Sequence, residues 1–149
     1  MNKKAASRCA WLILAMTFFG SLVRAQDVTI VVNSSLSISE ITETQLRDIF
    51  IGAQAQFDNG TRAVPVLLKG GPVHEVFLHR HIGDTPDEFR TRWRRAVFTG
   101  QGSMPREFNS ETEVLQYIEA TPGAIGYLSR KPDRDRLKVL MIVAARRRS

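Results

Sequence analysis

Two hydrophobic patterns alternate along the chain. Asp27–Asn33 (DVTIVVN), Ala63–Leu68 (AVPVLL), Ala124–Leu128 (AIGYL) and Leu137–Val143 (LKVLMIV) are short, mostly continuous apolar runs. Such runs read as buried strands. Between them apolar residues recur at helical spacing: Leu46, Ile49 and Phe50; Val73, Val76 and Phe77; Phe89, Trp93, Ala96 and Val97; Val114, Leu115 and Ile118. Each helical set has a start signal. Thr42 with Gln45, and Ser110 with Glu113, have capping-box spacing, and Ile41 and Leu46 are placed to staple the first of these turns. Thr85-Pro86-Asp87-Glu88 combines a cap, a proline and two first-turn acids. Gly52, Gly83 and Pro122-Gly123 supply stops, and Asn59-Gly60 marks a hairpin-type turn. Ser34–Glu40 reads as a polar connector, Thr99–Ser103 as a flexible loop closed by Pro105, and Lys131–Arg136 as a charged turn. Strands alternating with capped helices predict an α/β layer with a mixed sheet.

Residues 1–25 stand apart. Lys3, Lys4 and Arg8 precede an apolar stretch from Ala10 to Val23, and Val23-Arg24-Ala25 suits cleavage ahead of Gln26. This is the pattern of a secretory signal. The apolar run, about 14 residues, is short against the roughly 20 that a spanning helix needs. Removing the signal takes away four of the 21 Lys+Arg and none of the 15 Asp+Glu, so the formal net charge drops from +6 to +2. Three of the remaining positives are Arg146, Arg147 and Arg148 in a basic tail at 146–149. Residues 26–145 then form one domain of ordinary size, close to neutral. The single Cys9 lies in the signal, which leaves no thiol for a disulfide, a nucleophile or an iron–sulfur cluster.

The stretch Pro65–Phe77 joins the two patterns. A strand runs through Lys69-Gly70-Gly71 into a helix whose first residue is Pro72, a position proline favours. Unpaired N–H groups at a positive helix end make a seat for an anion. The same glycines also suit a tight turn that needs them only for its dihedrals. Thr99-Gly100-Gln101-Gly102-Ser103 is a second glycine-rich loop beside a helix, and such loops form anion-holding concavities. Lys69 and Arg106 would add charge.

Other chemistry is thinly supplied. His74, His79 and His81 stand at i, i+5 and i+7, not the i, i+4 of helical metal ligands. No serine sits in a Gly-x-Ser-x-Gly elbow. Neither a metal, another cofactor nor an enzymatic activity is expected. Arg90, Arg92, Arg94 and Arg95 surround Trp93, but helical phase turns the indole inward. The stacking platform of a single-strand binder is therefore missing, and no nucleic-acid partner is expected.

The segments Thr42–Gly60 (TETQLRDIFIGAQAQFDNG), Val64–Phe77, Phe98–Pro105 (FTGQGSMP) and Thr121–Leu128 (TPGAIGYL) resemble, in order, the second lobe of phosphate ABC-transporter substrate-binding proteins. The chain is most similar to the small single-lobe secreted members of that type 2 periplasmic-binding-protein superfamily. The resemblance implies a single lobe with a mixed sheet flanked by helices, and a periplasmic address. It implies a phosphate-like oxyanion as ligand, with Lys69, Gly70, Gly71, His74, Thr99, Gly100, Gly102 and Ser103 as the candidate contacts. The family's Ser-Gly-Thr-type clamp corresponds to Gly71, Pro72 and Val73, so both hydroxyls are missing here. Short relatives keep a serine and an arginine where this chain has Gly71 and His74. One lobe leaves a ligand open to water on one side. Binding is then expected to be millimolar rather than micromolar, a loss of roughly 4 kcal/mol, unless a homodimer or a partner closes the site. The alternative expectation is a ligand-free periplasmic adaptor or sensory domain for an inner-membrane transporter or kinase.

Overall fold

A computed structural model describes residues 27–144. The expected signal at 1–25 and the basic tail at 146–149 lie outside the described residues. The elements in chain order are β1 (Thr29–Asn33), β2 (Glu40–Thr42), α1 (Glu43–Phe50), β3 (Val64–Leu68), α2 (Pro72–Phe77), a π-helical turn (Leu78–Ile82), α3 (Pro86–Phe98), β4 (Arg106–Phe108), α4 (Glu111–Ala120), β5 (Ala124–Leu128) and β6 (Leu137–Val143).

One six-stranded sheet has the order β2-β6-β1-β5-β3-β4. β1 runs antiparallel to β5 and β6, while β2 is parallel to β6 and β3 is parallel to both β4 and β5. Every strand except β1 therefore points the same way, and the sheet is mixed, as its alternation with helices predicts. The two faces are covered differently. A Cβ placed on Gly126 would lie 2.9 Å from Ile118 Cδ1 and 3.2 Å from Val114 Cγ1, so the missing side chain is what lets α4 settle on β5. The next residue, Tyr127, points to the other face. Its ring stacks on Phe77 at 3.9 Å and lies 6.1 Å from Phe50, tying α1 and α2 to that side. Trp93 brings in α3 by donating from Nε1 to the Phe50 carbonyl at 3.1 Å. Phe50, Phe77 and Tyr127 are fully buried and anchor the core under these helices.

The start signals act as their spacing predicts, with variations. Thr85 and Glu88 form a complete capping box. Thr42 takes the Gln45 N–H at 3.1 Å, but the Gln45 side chain is buried and its Nε2 finds no partner among the described residues. Ser110 takes the Glu113 N–H, while the Glu113 carboxylate reaches back to the N–H of Asn109 at 2.8 Å.

Four expectations change. The connector Ser34–Glu40 holds buried Leu36 and the first residue of β2. β4 (REF) has no apolar pattern because it is an edge strand with two exposed residues. Val97 is exposed at 48%, since α3 turns inward only Phe89 and Trp93 as fully buried residues. Of β6, only Leu140 is fully buried.

Candidate functional site

β3 delivers the chain to the carboxyl edge of the sheet. Lys69 donates its N–H to the Phe108 carbonyl at 2.9 Å, so β3 and β4 end side by side. From there the chain leaves β3 for α2 on one face and leaves β4 for α4 on the other. Adjacent strands whose exits diverge to opposite faces open a crevice at their carboxyl ends, the usual ligand position of an open α/β sheet.

The turn in that crevice is Lys69-Gly70-Gly71. Gly71 is the N-cap of α2 at φ 94°, ψ 169°, a conformation open only to glycine. Gly70 has neither a positive φ nor any atom within 4 Å of an added Cβ. Packing and dihedrals therefore explain Gly71 but not Gly70. The N–H of Glu75 reaches the Gly71 carbonyl at 3.1 Å. Among the described residues, the N–H groups of Gly70, Gly71, Val73 and His74 bond to no protein acceptor, and Pro72 has none to offer.

One hydroxyl holds both sides of this turn. Tyr127 Oη accepts from the Leu68 N–H at 3.0 Å, before the glycines, and meets His74 Nδ1 at 2.6 Å, after them. Because Leu68 already donates to this hydroxyl, the arrangement that also uses the hydroxyl's own proton gives it to Nδ1 and keeps the imidazole proton on Nε2. Burial, and then the positive charge of Arg90, push His74 below the ordinary imidazole range, while burial pushes the Tyr127 phenol far up. His74 is thus a neutral, largely buried strut of the turn rather than a cation above it.

The electrostatics are mixed. Lys69 is exposed at the turn. Against it stand Glu75 in the first turn of α2 and Glu111 and Glu113 in the first turn of α4. The Glu111 carboxylate accepts from Ser129 N–H at 3.2 Å and from Ser129 Oγ at 3.0 Å. The Asn109 N–H is taken by Glu113. Donors at the ends of β4 and β5 are thereby occupied by the protein's own carboxylates.

Thr99, Gly100, Gly102 and Ser103 lie elsewhere. They precede Arg106, the first residue of β4, and so reach the sheet from its amino edge. Gly102 rests over Trp93, with an added Cβ 3.2 Å from the indole, and Gly52 at the far end of α1 meets the same ring. The loop is the carboxyl cap of α3. Thr99, Gly100 and Gln101 donate their N–H groups to the carbonyls of Arg95, Val97 and Ala96 respectively, and the Thr99 hydroxyl donates to Arg95 and Ala96. Those N–H groups are spent, and a helix carboxyl end carries negative potential. The two glycine loops do not converge, so the joint concavity expected from the sequence does not form. Arg106 is drawn aside as well, its guanidinium 5.2 Å from the Tyr117 ring centre.

Several contributors carry no sequence signal of their own. Tyr127 reads as one apolar residue of a strand. Asp84, buried beside Gly83, receives two hydrogen bonds of 2.9 Å from Arg92. Together with Glu75, Val76, His79, Arg80, Thr85 and Pro86, Asp84 lines a groove of about 570 Å³ that contains none of the expected contacts. His81 pairs through Nδ1 with Glu43 at 2.8 Å, its buried Nε2 finding no partner among the described residues.

The chain has the fold of one lobe of a phosphate substrate-binding protein. It is similar to a putative phosphate ABC transporter substrate-binding protein with bound phosphate from Clostridium perfringens (TM-score 0.60, 14% identity, 76% of this chain and 43% of that one). It is also similar to PstS from Borrelia burgdorferi (0.56, 17%, 77% and 46%) and to an ABC-type phosphate transport receptor from Vibrio cholerae (0.57, 16%, 76% and 44%). The chain spans less than half the length of each. Neither a family model nor a curated protein sequence matches it.

Proposed function

We propose that this chain is a secreted, periplasmic, non-enzymatic binding lobe that holds phosphate or a similar oxyanion weakly on the Lys69–His74 turn. The observation that carries this reading is the set of four backbone N–H groups, on Gly70, Gly71, Val73 and His74, left unused at the carboxyl edge where β3 and β4 diverge. The fold shared with phosphate-binding proteins supports it, and so does a Gly70 that nothing among the described residues requires. Lys69 supplies the one side-chain cation of the turn; His74, neutral and tied to Tyr127, shapes it. With one lobe and water on the open side, each contact is screened, and millimolar affinity follows.

Titration calorimetry of the chain from Gln26 onward with phosphate and with sulfate tests this. A small saturable heat for phosphate, reduced when Lys69 becomes alanine, is the expected result. Absence of heat and of any thermal shift at high phosphate removes the ligand.

A specific observation favours the second reading, a ligand-free adaptor or sensory domain for an inner-membrane transporter or kinase. Glu111 already occupies the Ser129 donors that an external anion would seek, and Glu75 and Glu113 stand nearby. Gly70→Ser separates the two readings. The open space at residue 70 admits the side chain, and the new hydroxyl strengthens phosphate binding if the turn is a ligand seat. Under the adaptor reading the variant gains no affinity.

A further inference from the structure

The far end of the molecule carries an unexplained surface. α3 finishes at Phe98, which is 93% exposed, with Val97 at 48% and Met104 at 37% beside it in the chain or just beyond the cap. Phe98 is not a frayed end. The turn after it is closed by the N–H groups of Thr99, Gly100 and Gln101, and Gly102 lies on Trp93, whose Nε1 is tied to Phe50. The ring is therefore presented on a fixed support. At 100° per residue, Phe98 falls on the side of α3 opposite Phe89 and Trp93, flanked by Arg94 and Arg95. Arg94 donates to the Thr91 hydroxyl at 3.1 Å. Among the described residues neither Arg94 nor Arg95 makes an ion pair, whereas Arg90 meets Asp87 and Arg92 meets Asp84.

We infer that this end of α3 docks on an anionic lipid surface, with Phe98 entering the acyl boundary and Arg94 and Arg95 lying at the headgroup phosphates. The charge selects the partner. A second copy docked through the same face would bring two unpaired arginines against two others. The apolar surface is on the order of a few hundred Å², short of the ~800 Å² per side of a stable protein interface. A membrane needs less: a few apolar side chains in the interface plus cations near anionic headgroups. The inference is independent of any oxyanion at the Gly70–Gly71 turn, which lies at the opposite edge of the sheet.

Cosedimentation of the chain from Gln26 to Ser149 with phosphatidylglycerol vesicles, against neutral phosphatidylcholine vesicles, tests it. Binding to the anionic vesicles alone, weakening with salt, is expected. Phe98→Ala lowers it by about tenfold and the double change Arg94→Ala/Arg95→Ala by about 30-fold, with unchanged melting because these side chains are on the surface. Phe98→Trp gives a blue shift with the anionic vesicles beyond any that Trp93 gives in the wild-type chain, and that excess reports entry of residue 98 into lipid. No cosedimentation, equal binding to both vesicle types, or full binding by Phe98→Ala overturns the inference; the last outcome assigns any lipid contact to the arginine tail. A lipid-free dimer that Phe98→Ala dissolves also overturns it, in favour of a second copy.

Discussion

The two glycine loops look alike as sequence and behave as opposites in the fold. Lys69-Gly70-Gly71 precedes a helix and leaves the two glycine N–H groups free at the positive end; Thr99–Ser103 follows a helix and spends the N–H groups of Thr99, Gly100 and Gln101 on the carbonyls at the negative end. Glycine content reports backbone freedom. Which side of a helix the loop lies on decides whether that freedom serves an anion or a cap. This polarity was available from the sequence, because Pro72 marks a start and Phe98-Thr99-Gly100 an end. What it lacked was the partner strand, since only the β3–β4 register shows the two loops arriving at opposite edges.

Trp93→Ala should give the largest break between the regions. The indole supports Gly52 and Gly102 and bonds to Phe50, so its loss leaves a cavity worth about 3–5 kcal/mol. Amide exchange in Thr99–Ser103 should rise first. If exchange at Gly70 and Gly71 rises as much, the two ends are one cooperative unit and the comparison fails.

Tyr127→Phe probes the other end. The stack on Phe77 survives, while the Leu68 N–H and His74 Nδ1 lose their common partner, a cost of about 1–3 kcal/mol. Exchange at Gly70 and Gly71 should quicken with Gly100 and Gln101 unchanged, and the ¹⁵N shifts of His74 should lose the signature of one fixed tautomer. A His74 spectrum identical to wild type means that the hydroxyl does not set the ring.

How far these features were legible follows from where each side chain finds its partner. Thr85, Ser110 and Thr42 meet theirs within the next turn, so spacing alone located three helices. Leu46, Phe77, Phe89 and Trp93 bury along one helical stripe, which periodicity also shows. β2 and β4 escaped because each is three residues long and owes its existence to a neighbouring strand, β6 or β3. Tyr127 escaped for a related reason. Its partners Leu68 and His74 lie 59 and 53 residues away, and nothing local separates a phenol that only fills space from one that also clamps a turn. That His74 is a buried strut escaped for the same reason: its packing against Tyr127 of β5 is a tertiary fact.

Within the turn itself, Gly71 and Gly70 should respond unequally. Gly71→Ala forces an L-residue into φ 94° and should cost about 1–3 kcal/mol. Gly70→Ala meets no atom and should stay within about 0.5 kcal/mol. Thermal melts of the pair give the difference directly. Equal losses would show that Gly70 too is held by its backbone, and would take away the argument that something outside the molecule requires it.

The smallest effect expected is a dependence on pH that belongs to the carboxyl edge alone. His74 is held neutral by burial and by Arg90, so its folded-state pKa lies below the ordinary 6.5. Above 6.5 the ring is neutral in both folded and unfolded chains and contributes no slope. As pH falls below 6.5 the unfolded chain takes up a proton that the folded one refuses, and stability declines until the lower folded pKa is passed. Protonation also places a second hydrogen between Nδ1 and the Tyr127 hydroxyl, loosening the clamp on Gly70 and Gly71. The chain holds two further histidines, His79 and His81, so the informative quantity is the difference between wild type and His74→Gln, whose side chain still accepts from the hydroxyl but carries no proton to gain. The variant should lose less melting temperature on acidification, with amide exchange at Gly70 and Gly71 no longer rising. Identical acid profiles for the two proteins would mean that His74 is not the group that couples this edge to pH.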